Sequence, residues 1–253
     1  MTKSIAMYYA FARSGGTLVN QLLGCSQDVV VLSEISPQKS VLPIERQLCD
    51  WHQLLSPDAC AAFSRLGYQE QIDRAHTLAT AAGKNLCVRD WVVIDFLPDV
   101  DADGEPSGAL ENLIYLQSAG YEVRHCAILR RSHDVHASIR RHIPSGKNLS
   151  PESFAEYYKH YLQELARKEV PRFFLEDIQA NTETLTRRIC NTLGLPPPAS
   201  IADFHQYQKC TGNNSLADKP ASAEQPRITR TTGYGCTENP LFAELDKLAG
   251  YEN

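Results

Sequence analysis

The hydrophobic pattern of the chain opens with an apolar run that stops before two glycines and resumes with helical spacing. Residues 5–12 are all apolar, Gly15 and Gly16 follow, and the apolar residues of 17–23 recur three or four positions apart. A short continuous apolar run is typical of a buried strand, and the later spacing is that of an amphipathic helix. The sequence therefore predicts a strand, a tight turn and a helix over residues 5–23.

Later apolar runs predict further buried strands, and helical segments separate most of them. The further strands are expected at residues 28–34, 85–90, 121–130 and 171–178. Residues 41–82 have helical spacing, with one long helix starting at Pro57, and a helix over 185–193 is closed by Gly194. This alternation predicts an α/β fold.

Length and charge limit the classes of protein that this sequence can encode. The 253 residues carry a formal net charge of −5, and 43% of them are hydrophobic, which suits one large domain over residues 1–253. No basic field would attract nucleic acid or an anionic membrane, and no apolar run approaches the ~18 residues that span a bilayer. The first apolar run leads into a polar loop, so we interpret it as a strand rather than a signal peptide and expect a cytoplasmic protein.

Cysteine and aspartate spacing argues against a metal centre. The eight cysteines include no Cys-x-x-Cys pair and have no histidine at a spacing suited to zinc, which indicates free thiols in a reducing compartment. The acidic stretch 98–108 departs from the spacing of a calcium loop. We expect it to be a surface loop or a mobile rim over the substrate.

The turn at residues 13–17, Arg-Ser-Gly-Gly-Thr, has the composition of an anion site. The first N–H groups of a helix lack intrahelical partners and lie at the positive end of the helix dipole. Gly15 and Gly16 would allow an anion to approach closely. Ser14 and Thr17 offer hydroxyls, and Arg13 adds a positive charge. The alternative is that the turn is only a helix cap. The sequence lacks both a P-loop lysine and the motif Gly-x-Gly-x-x-Gly here, which disfavours ATP, GTP and dinucleotides as ligands.

A second strand-to-helix junction repeats this design. Arg130 ends an apolar strand, Asp134 can help to cap the next helix, and Ser138 lies in that helix, eight residues after Arg130. A guanidinium beside a hydroxyl suits a phosphate monoester, so Arg130 and Ser138 predict a second anion site. The alternative is a solvated basic helix face over residues 130–141.

Charged residues also follow the second and third predicted strands. Ligands of open α/β sheets bind at the carboxyl ends of the strands, where Glu34 could face a reacting group; the alternatives are a solvated loop carboxylate or a helix cap. Arg89 and Asp90 end the third strand; they could act as a functional pair, and we favour a structural ion pair between them. His52 and His76 are more typical of packing or surface residues than of a base.

Three blocks in this order resemble the sulfotransferases that use 3′-phosphoadenosine 5′-phosphosulfate (PAPS), especially the bacterial members. The blocks are Arg13-Ser14-Gly15-Gly16-Thr17, the pair Arg130 and Ser138, and Phe174-Leu175-Glu176-Asp177-Ile178 with Leu193-Gly194-Leu195-Pro196. The resemblance implies a three-layer P-loop-like fold with a central parallel sheet flanked by helices. It also implies transfer of a sulfuryl group from PAPS, as co-substrate, to a hydroxyl or amine of a small-molecule acceptor, with release of 3′-phosphoadenosine 5′-phosphate (PAP).

The resemblance assigns nucleotide-binding roles to both junctions. The loop at residues 13–17 would grip the 5′-phosphosulfate, and Arg13, where many members have lysine, would neutralise charge on the leaving group. Arg130 and Ser138 would grip the 3′-phosphate. Arg230 lies in a tail segment that approximates the family's motif near the same phosphate.

The resemblance also implies a catalytic base and a reaction without a metal. Glu34 occupies the place of the base in the bacterial members, and His52, His76 and Asp90 are the other candidates. Two further functional classes stay open from the sequence. One is a P-loop-like nucleotide or small-molecule kinase, which would need magnesium and a P-loop lysine, and the other is a noncatalytic nucleotide-binding protein.

Overall fold

A five-stranded parallel sheet is the centre of the fold, in a computed structural model that describes residues 3–98, 106–143, 145–212 and 239–251. The strand order is β2-β3-β1-β4-β5. The strands are β1 (Lys3–Ala10), β2 (Val29–Ile35), β3 (Asn85–Asp90), β4 (Tyr121–Leu129) and β5 (Arg172–Phe174). Because all the pairings are parallel, the carboxyl ends of the strands lie at one edge of the sheet.

Helices cover both faces of this sheet. The described helices are α1 (Gly16–Gly24), α2 (Ile44–Arg46), α3 (Pro57–Phe63), α4 (Tyr68–Ala81), α5 (Val93–Phe96), α6 (Glu111–Ser118), α7 (Ser132–His142), α8 (Pro151–Arg167), α9 (Leu175–Ala180), α10 (Thr182–Leu193) and α11 (Pro240–Ala249). A π-helical turn (Gln47–Trp51) extends α2, and 3-10 turns lie at Ser145–Asn148 and Phe204–Gln206. The result is three layers with the sheet in the middle.

Successive side chains of β1 enter two different apolar cores, as the alternation of a strand requires. Tyr8 packs in the core that contains residues of α1 and α10, and Tyr9 packs in the core that contains residues of α4, α6, α8 and α11. Phe11, one residue after β1, packs against Tyr158 edge to face and against Tyr161 at a tilt, with ring centroids 5.0 and 5.1 Å apart. This aromatic cluster anchors the start of the turn at residues 13–17.

The structure confirms the predicted α/β fold with its central parallel sheet, and the first strand, turn and helix. Strands β1 to β4 begin and end within two residues of their predicted bounds. Helix α10 ends as predicted, because Gly194 adopts the left-handed conformation of a helix C-cap, with φ of 66°.

Two predicted elements are wrong in extent. The long helix expected from Pro57 is divided into α3 and α4. Gly67, between them, has an extended backbone and is the N-cap of α4, and its N–H donates to Glu70 Oε2 at 3.1 Å. The strand expected over 171–178 stops after Phe174, and Leu175 begins α9. A three-residue strand is sufficient to pair with the end of β4.

Among the described residues, the side chains of Cys25, Cys49, Cys60, Cys87, Cys126 and Cys190 are free thiols. Within the described ranges, no helix is both long enough and apolar enough to cross a membrane. Most of the acidic stretch 98–108, and the tail residue Arg230, lie outside the described residues.

Two carboxyl groups are buried near the carboxyl end of β3, on the face that packs against α6. Asn112 Nδ2 donates to Asp90 Oδ1 at 3.3 Å, and the backbone N–H of Glu111 donates to Asp95 Oδ2 at 3.4 Å. Burial raises the pKa of both carboxyls above the usual range, and the charge of Asp90 raises the pKa of Asp95 further. Each carboxyl therefore binds its proton more tightly in the folded protein than in the unfolded chain.

The free energy of unfolding is expected to fall as the pH rises from the ordinary carboxyl range through neutrality. In that window the unfolded chain has lost protons that folded Asp90 and Asp95 still hold, so stability decreases with pH. Asp95→Asn removes one titratable carboxyl and keeps an oxygen acceptor for the Glu111 N–H. In thermal unfolding, this variant should raise the Tm more at pH 8 than at pH 5. The control Asp28→Asn, at an exposed position, should change the Tm by the same amount at the two pH values. Equal shifts for Asp95→Asn would contradict this account.

Candidate functional site

The turn between β1 and α1 lies at the carboxyl edge of the sheet. The backbone N–H of Ser14 donates to the Phe11 carbonyl at 3.0 Å, which closes the turn, and α1 begins at Gly16. Gly15 occupies the N-cap with φ of 98°, a left-handed conformation that favours glycine. The first N–H groups of α1 therefore lie at the sheet edge where an anion would gain from the helix dipole.

The protein's own packing requires both glycines of this turn. A Cβ on Gly15 would lie 2.5 Å from Leu175 Cδ1. A Cβ on Gly16 would lie 2.7 Å from Arg89 Nε and 2.8 Å from Ala10 Cβ. The sequence interpretation assigned these glycines to the approach of an anion; the structure shows that they also admit a leucine and a guanidinium beneath the turn.

Three residues from the two predicted anion sites contact one another. Arg13 Nε donates to Ser138 Oγ at 3.1 Å, and Arg130 Nη1 donates to the Arg13 carbonyl at 3.3 Å. Arg13 is exposed at the edge of this group, Ser138 is buried, and the Arg130 side chain is mostly buried. Asp134, which was expected to help cap α7, lies in the first turn of that helix. Its Oδ2 forms an ion pair with Arg130 Nη2 at 3.8 Å.

Positive charge is concentrated in this group. Desolvation lowers the pKa of Arg13 below the usual arginine value, and the neighbouring Arg130 charge lowers it further. The two guanidinium charges repel each other, and an anion bound by both would relieve the repulsion. The convergence of Arg13, Arg130 and Ser138 thus has the chemistry of a phosphate site.

A bulge at the end of β2 sets the direction of Glu34. The register of β2 against β3 shifts between Leu32 and Ile35, and Glu34 has φ of 54°. In a regular strand Ser33 and Glu34 would face opposite sides of the sheet. The bulge instead brings both side chains to the same guanidinium, that of Arg89.

Arg89 connects the candidate base to the turn. Its Nη2 donates to Glu34 Oε1 at 2.7 Å, and its Nη1 donates to Ser33 Oγ at 3.3 Å. The Arg89 side chain is 7% exposed and the Glu34 side chain 18% exposed. Because the same guanidinium packs under Gly16, one buried cation touches both the candidate base and the candidate anion turn.

The expected ion pair between Arg89 and Asp90 is wrong. Consecutive strand residues point to opposite faces, so Arg89 faces α1 and Glu34 whereas Asp90 faces Asn112. The place of Arg89 near the carboxyl end of a strand, the same signal that singled out Glu34, had allowed a functional role for it, but the sequence did not indicate Glu34 as its partner.

A segment before residue 213 crosses α1 and reaches the same edge. Thr17 Oγ1 donates to the Thr211 carbonyl at 3.2 Å, and the Thr211 N–H donates to Ser33 Oγ at 3.2 Å. Gln21 Nε2 donates to the Tyr207 carbonyl at 3.2 Å. This segment had no clear pattern in the sequence, and it holds Thr17, a predicted anion ligand, in a contact within the protein.

The other candidate bases lie in structural contacts. His52 Nε2 is 3.0 Å from the Val31 carbonyl, and burial lowers the pKa of His52 to about 4. His76 Nε2 is 3.1 Å from the Ser4 carbonyl, at the amino end of β1 and so at the opposite edge of the sheet from Glu34. Asp90 is buried on the α6 face. Glu34, in contrast, bonds to Arg89, and the same Arg89 side chain packs against Gly16 of the turn.

Comparison with solved structures shows a shared fold. The sulfotransferase domain from the Synechococcus PCC 7002 olefin synthase is similar with a TM-score of 0.71 and 14% identity, over 100% of this chain and 97% of that one. The sulfotransferase domain from the curacin biosynthetic pathway is similar with a TM-score of 0.58 and 14% identity, over 99% of this chain and 98% of that one. No protein-family model and no curated protein matches the sequence. The chain thus has the P-loop-like fold of sulfotransferase domains.

Gly16→Ala tests whether packing against Arg89 fixes the turn. A methyl group there has no space beside the guanidinium and Ala10, so the variant should lose about 1–3 kcal/mol of unfolding free energy, typical of overpacking. Gly67→Ala is the matched control, since its nearest atom would be a side-chain oxygen at 3.8 Å. Chemical denaturation measures both. A Gly16→Ala variant as stable as the control would show that the Arg89 side chain can move away from residue 16 at little cost in free energy.

Proposed function

We propose that this protein is a sulfotransferase that moves a sulfuryl group from PAPS to a hydroxyl or amine of a small-molecule acceptor. The observation that carries the proposal is the contact of Arg13 with Ser138 and Arg130, which joins two separate strand-to-helix junctions into one cationic site. The proposal treats residues 1–253 as one sulfotransferase domain with the fold already described. The likeness to sulfotransferase domains supports it at the level of the fold.

The residues of this edge fit a nucleotide with two separate anionic groups. The turn at residues 13–17 offers helix N–H groups and the Arg13 charge to the 5′-phosphosulfate. Arg130 and Ser138 offer a guanidinium and a hydroxyl to the 3′-phosphate, the group that distinguishes PAPS from ATP. Arg89 Nε is buried without a hydrogen-bond partner among the described residues and packs under Gly16, which adds positive potential to the turn. In this proposal Arg230 contributes to the 3′-phosphate site from the tail.

The chain's own groups would act by positioning and by charge. PAPS supplies an activated sulfuryl group whose departure leaves negative charge on the 5′-phosphate oxygen. Arg13 and the N–H groups of α1 would stabilise that charge. Glu34 Oε, held at the same sheet edge by Arg89, would accept the proton of the acceptor hydroxyl or amine.

The acceptor would approach from the side of Glu34. The backbone N–H of Val41 donates to the Glu34 carbonyl at 3.2 Å, and the Val41 side chain is 47% exposed. An exposed apolar residue bonded through its backbone to the backbone of the candidate base suits an organic acceptor with a hydroxyl or amine at its reacting end.

Nucleotide-dependent stabilisation tests the donor. PAP should raise the Tm of the protein far more than ATP does, because only PAP carries a 3′-phosphate for Arg130 and Ser138. A ligand at 100 times its Kd adds about 2.7 kcal/mol to the free energy of unfolding. Differential scanning fluorimetry with each nucleotide measures the shifts.

Ser138→Ala provides the matched variant for this test. It removes a hydroxyl from the proposed 3′-phosphate site and should reduce the PAP shift while leaving the small ATP shift unchanged. Ser118→Ala, at an exposed position on α6, is the control. Equal shifts with PAP and ATP in the unmodified protein would overturn the proposed 3′-phosphate site.

Glu34→Gln tests the base. The amide keeps the size of the side chain and cannot accept the proton, so turnover should fall by about 10²–10⁴ while PAP still binds. Turnover is measured as transfer of ³⁵S from labelled PAPS to a panel of phenols, sugars and amines. Glu183→Gln, at an exposed position on α10, should leave turnover unchanged. Full activity of Glu34→Gln would move the role of base to another residue.

A further inference from the structure

The pair formed by Glu34 and Arg89 has features that a simple structural ion pair does not need. Glu34 is held in a left-handed conformation, with φ of 54°, which is unfavourable for a residue with a side chain. The bulge that creates this conformation turns the carboxylate onto a guanidinium that is 7% exposed. Strain of this kind persists only where the surrounding structure enforces it, and here it brings a carboxylate to one particular cation.

The position of Arg89 beneath the turn gives the pair an electrostatic consequence. Its Nε and Nη2 lie 2.7 and 2.8 Å from where a Cβ on Gly16 would be, so the guanidinium is in contact with the first residue of α1. Nη2 is also the atom bonded to Glu34 at 2.7 Å. With Glu34 ionised, the charge of Arg89 is balanced by the carboxylate. With Glu34 neutral, that charge is unbalanced directly under the turn.

We propose that Arg89 is a positioning residue that acts through Glu34. The two side chains form a charge balance: ionised Glu34 neutralises Arg89, and protonated Glu34 does not. The turn at residues 13–17 therefore attracts an anion more strongly when Glu34 is protonated. The inference rests on the proposed function and deepens it, because it names how the candidate base and the donor site influence each other. The sequence pattern favoured a structural ion pair for Arg89, and the resemblance assigned it no role.

The charge balance follows the course of the proposed reaction. The bond between the sulfur and the 5′-phosphate oxygen breaks, a bond from the acceptor oxygen or nitrogen to sulfur forms, and the leaving oxygen keeps the electron pair. The acceptor proton passes to Glu34. Arg89 therefore loses its counter-charge in the same step in which negative charge grows beside the turn, so its field stabilises the charge on the leaving oxygen.

PAP affinity in a set of charge variants tests the proposal without an acceptor. Glu34→Gln mimics the protonated base and should bind PAP about fivefold more tightly than the unmodified protein in isothermal titration calorimetry. Arg89→Gln leaves the Glu34 charge unbalanced and should bind PAP about fivefold more weakly. The double variant Glu34→Gln with Arg89→Gln should return to nearly the original affinity, because the two charges are removed together.

Further variants separate charge from structure. Arg89→Lys keeps the charge and should retain nearly the original affinity even if its Tm falls. Glu183→Gln, which breaks an exposed pair with Arg187 on α10, should leave PAP affinity unchanged. If Arg89→Gln does not fold, the tighter binding of Glu34→Gln and the retained affinity of Arg89→Lys still decide the matter.

The possible outcomes separate this proposal from the proposed function. PAP binding by every variant with the same affinity would overturn the charge balance and leave the sulfotransferase proposal standing. Weak binding by both Arg89→Gln and the double variant would show that Arg89 supports the fold only, and would likewise overturn the charge balance. Failure of the unmodified protein to bind PAP would overturn both proposals.

Discussion

The buried guanidinium of Arg89 lies between the end of β2 and the start of α1, and the geometry of the candidate site depends on it. It bonds to Glu34 and Ser33 on one side and packs against Gly16 on the other. A buried cation needs both an opposite charge and hydrogen-bond acceptors, or its desolvation is not compensated. The bulge in β2, the glycine at the start of α1 and the half-buried state of Glu34 are all consistent with meeting that requirement.

The parallel sheet explains why distant parts of the chain share one edge. Arg13 follows β1, Glu34 lies at the end of β2, and Arg130 follows β4. In a parallel sheet every such residue is delivered to the same side, whatever its separation along the chain. Neighbouring strand positions then decide which of them touch: β1 adjoins β4, so Arg13 meets Arg130, and β2 adjoins β3, so Glu34 meets Arg89.

Two residues with an unfavourable backbone conformation lie at that edge of the sheet. Among the described residues, four non-glycine residues have positive φ, and two of them are Arg13 and Glu34. Such a conformation costs on the order of 1–2 kcal/mol for a residue with a Cβ. The cost is offset by packing elsewhere, including the aromatic cluster of Phe11, Tyr158 and Tyr161 and the two apolar cores. Strain at Arg13 and Glu34 is what aims both side chains at their partners.

Local patterns in the sequence specify most of the strands and the candidate residues at their ends. Hydrophobic periodicity placed β1 to β4, glycine placed the turn and the end of α10, and strand-to-helix junctions singled out Arg13, Arg130 and Ser138. The tertiary structure decided the partners. Arg89 meets Glu34 rather than Asp90, and Thr211 reaches Ser33 from 178 residues away. These contacts depend on strand order, register and one bulge, which arise from the packing of the whole chain and leave no periodic signal in any local segment.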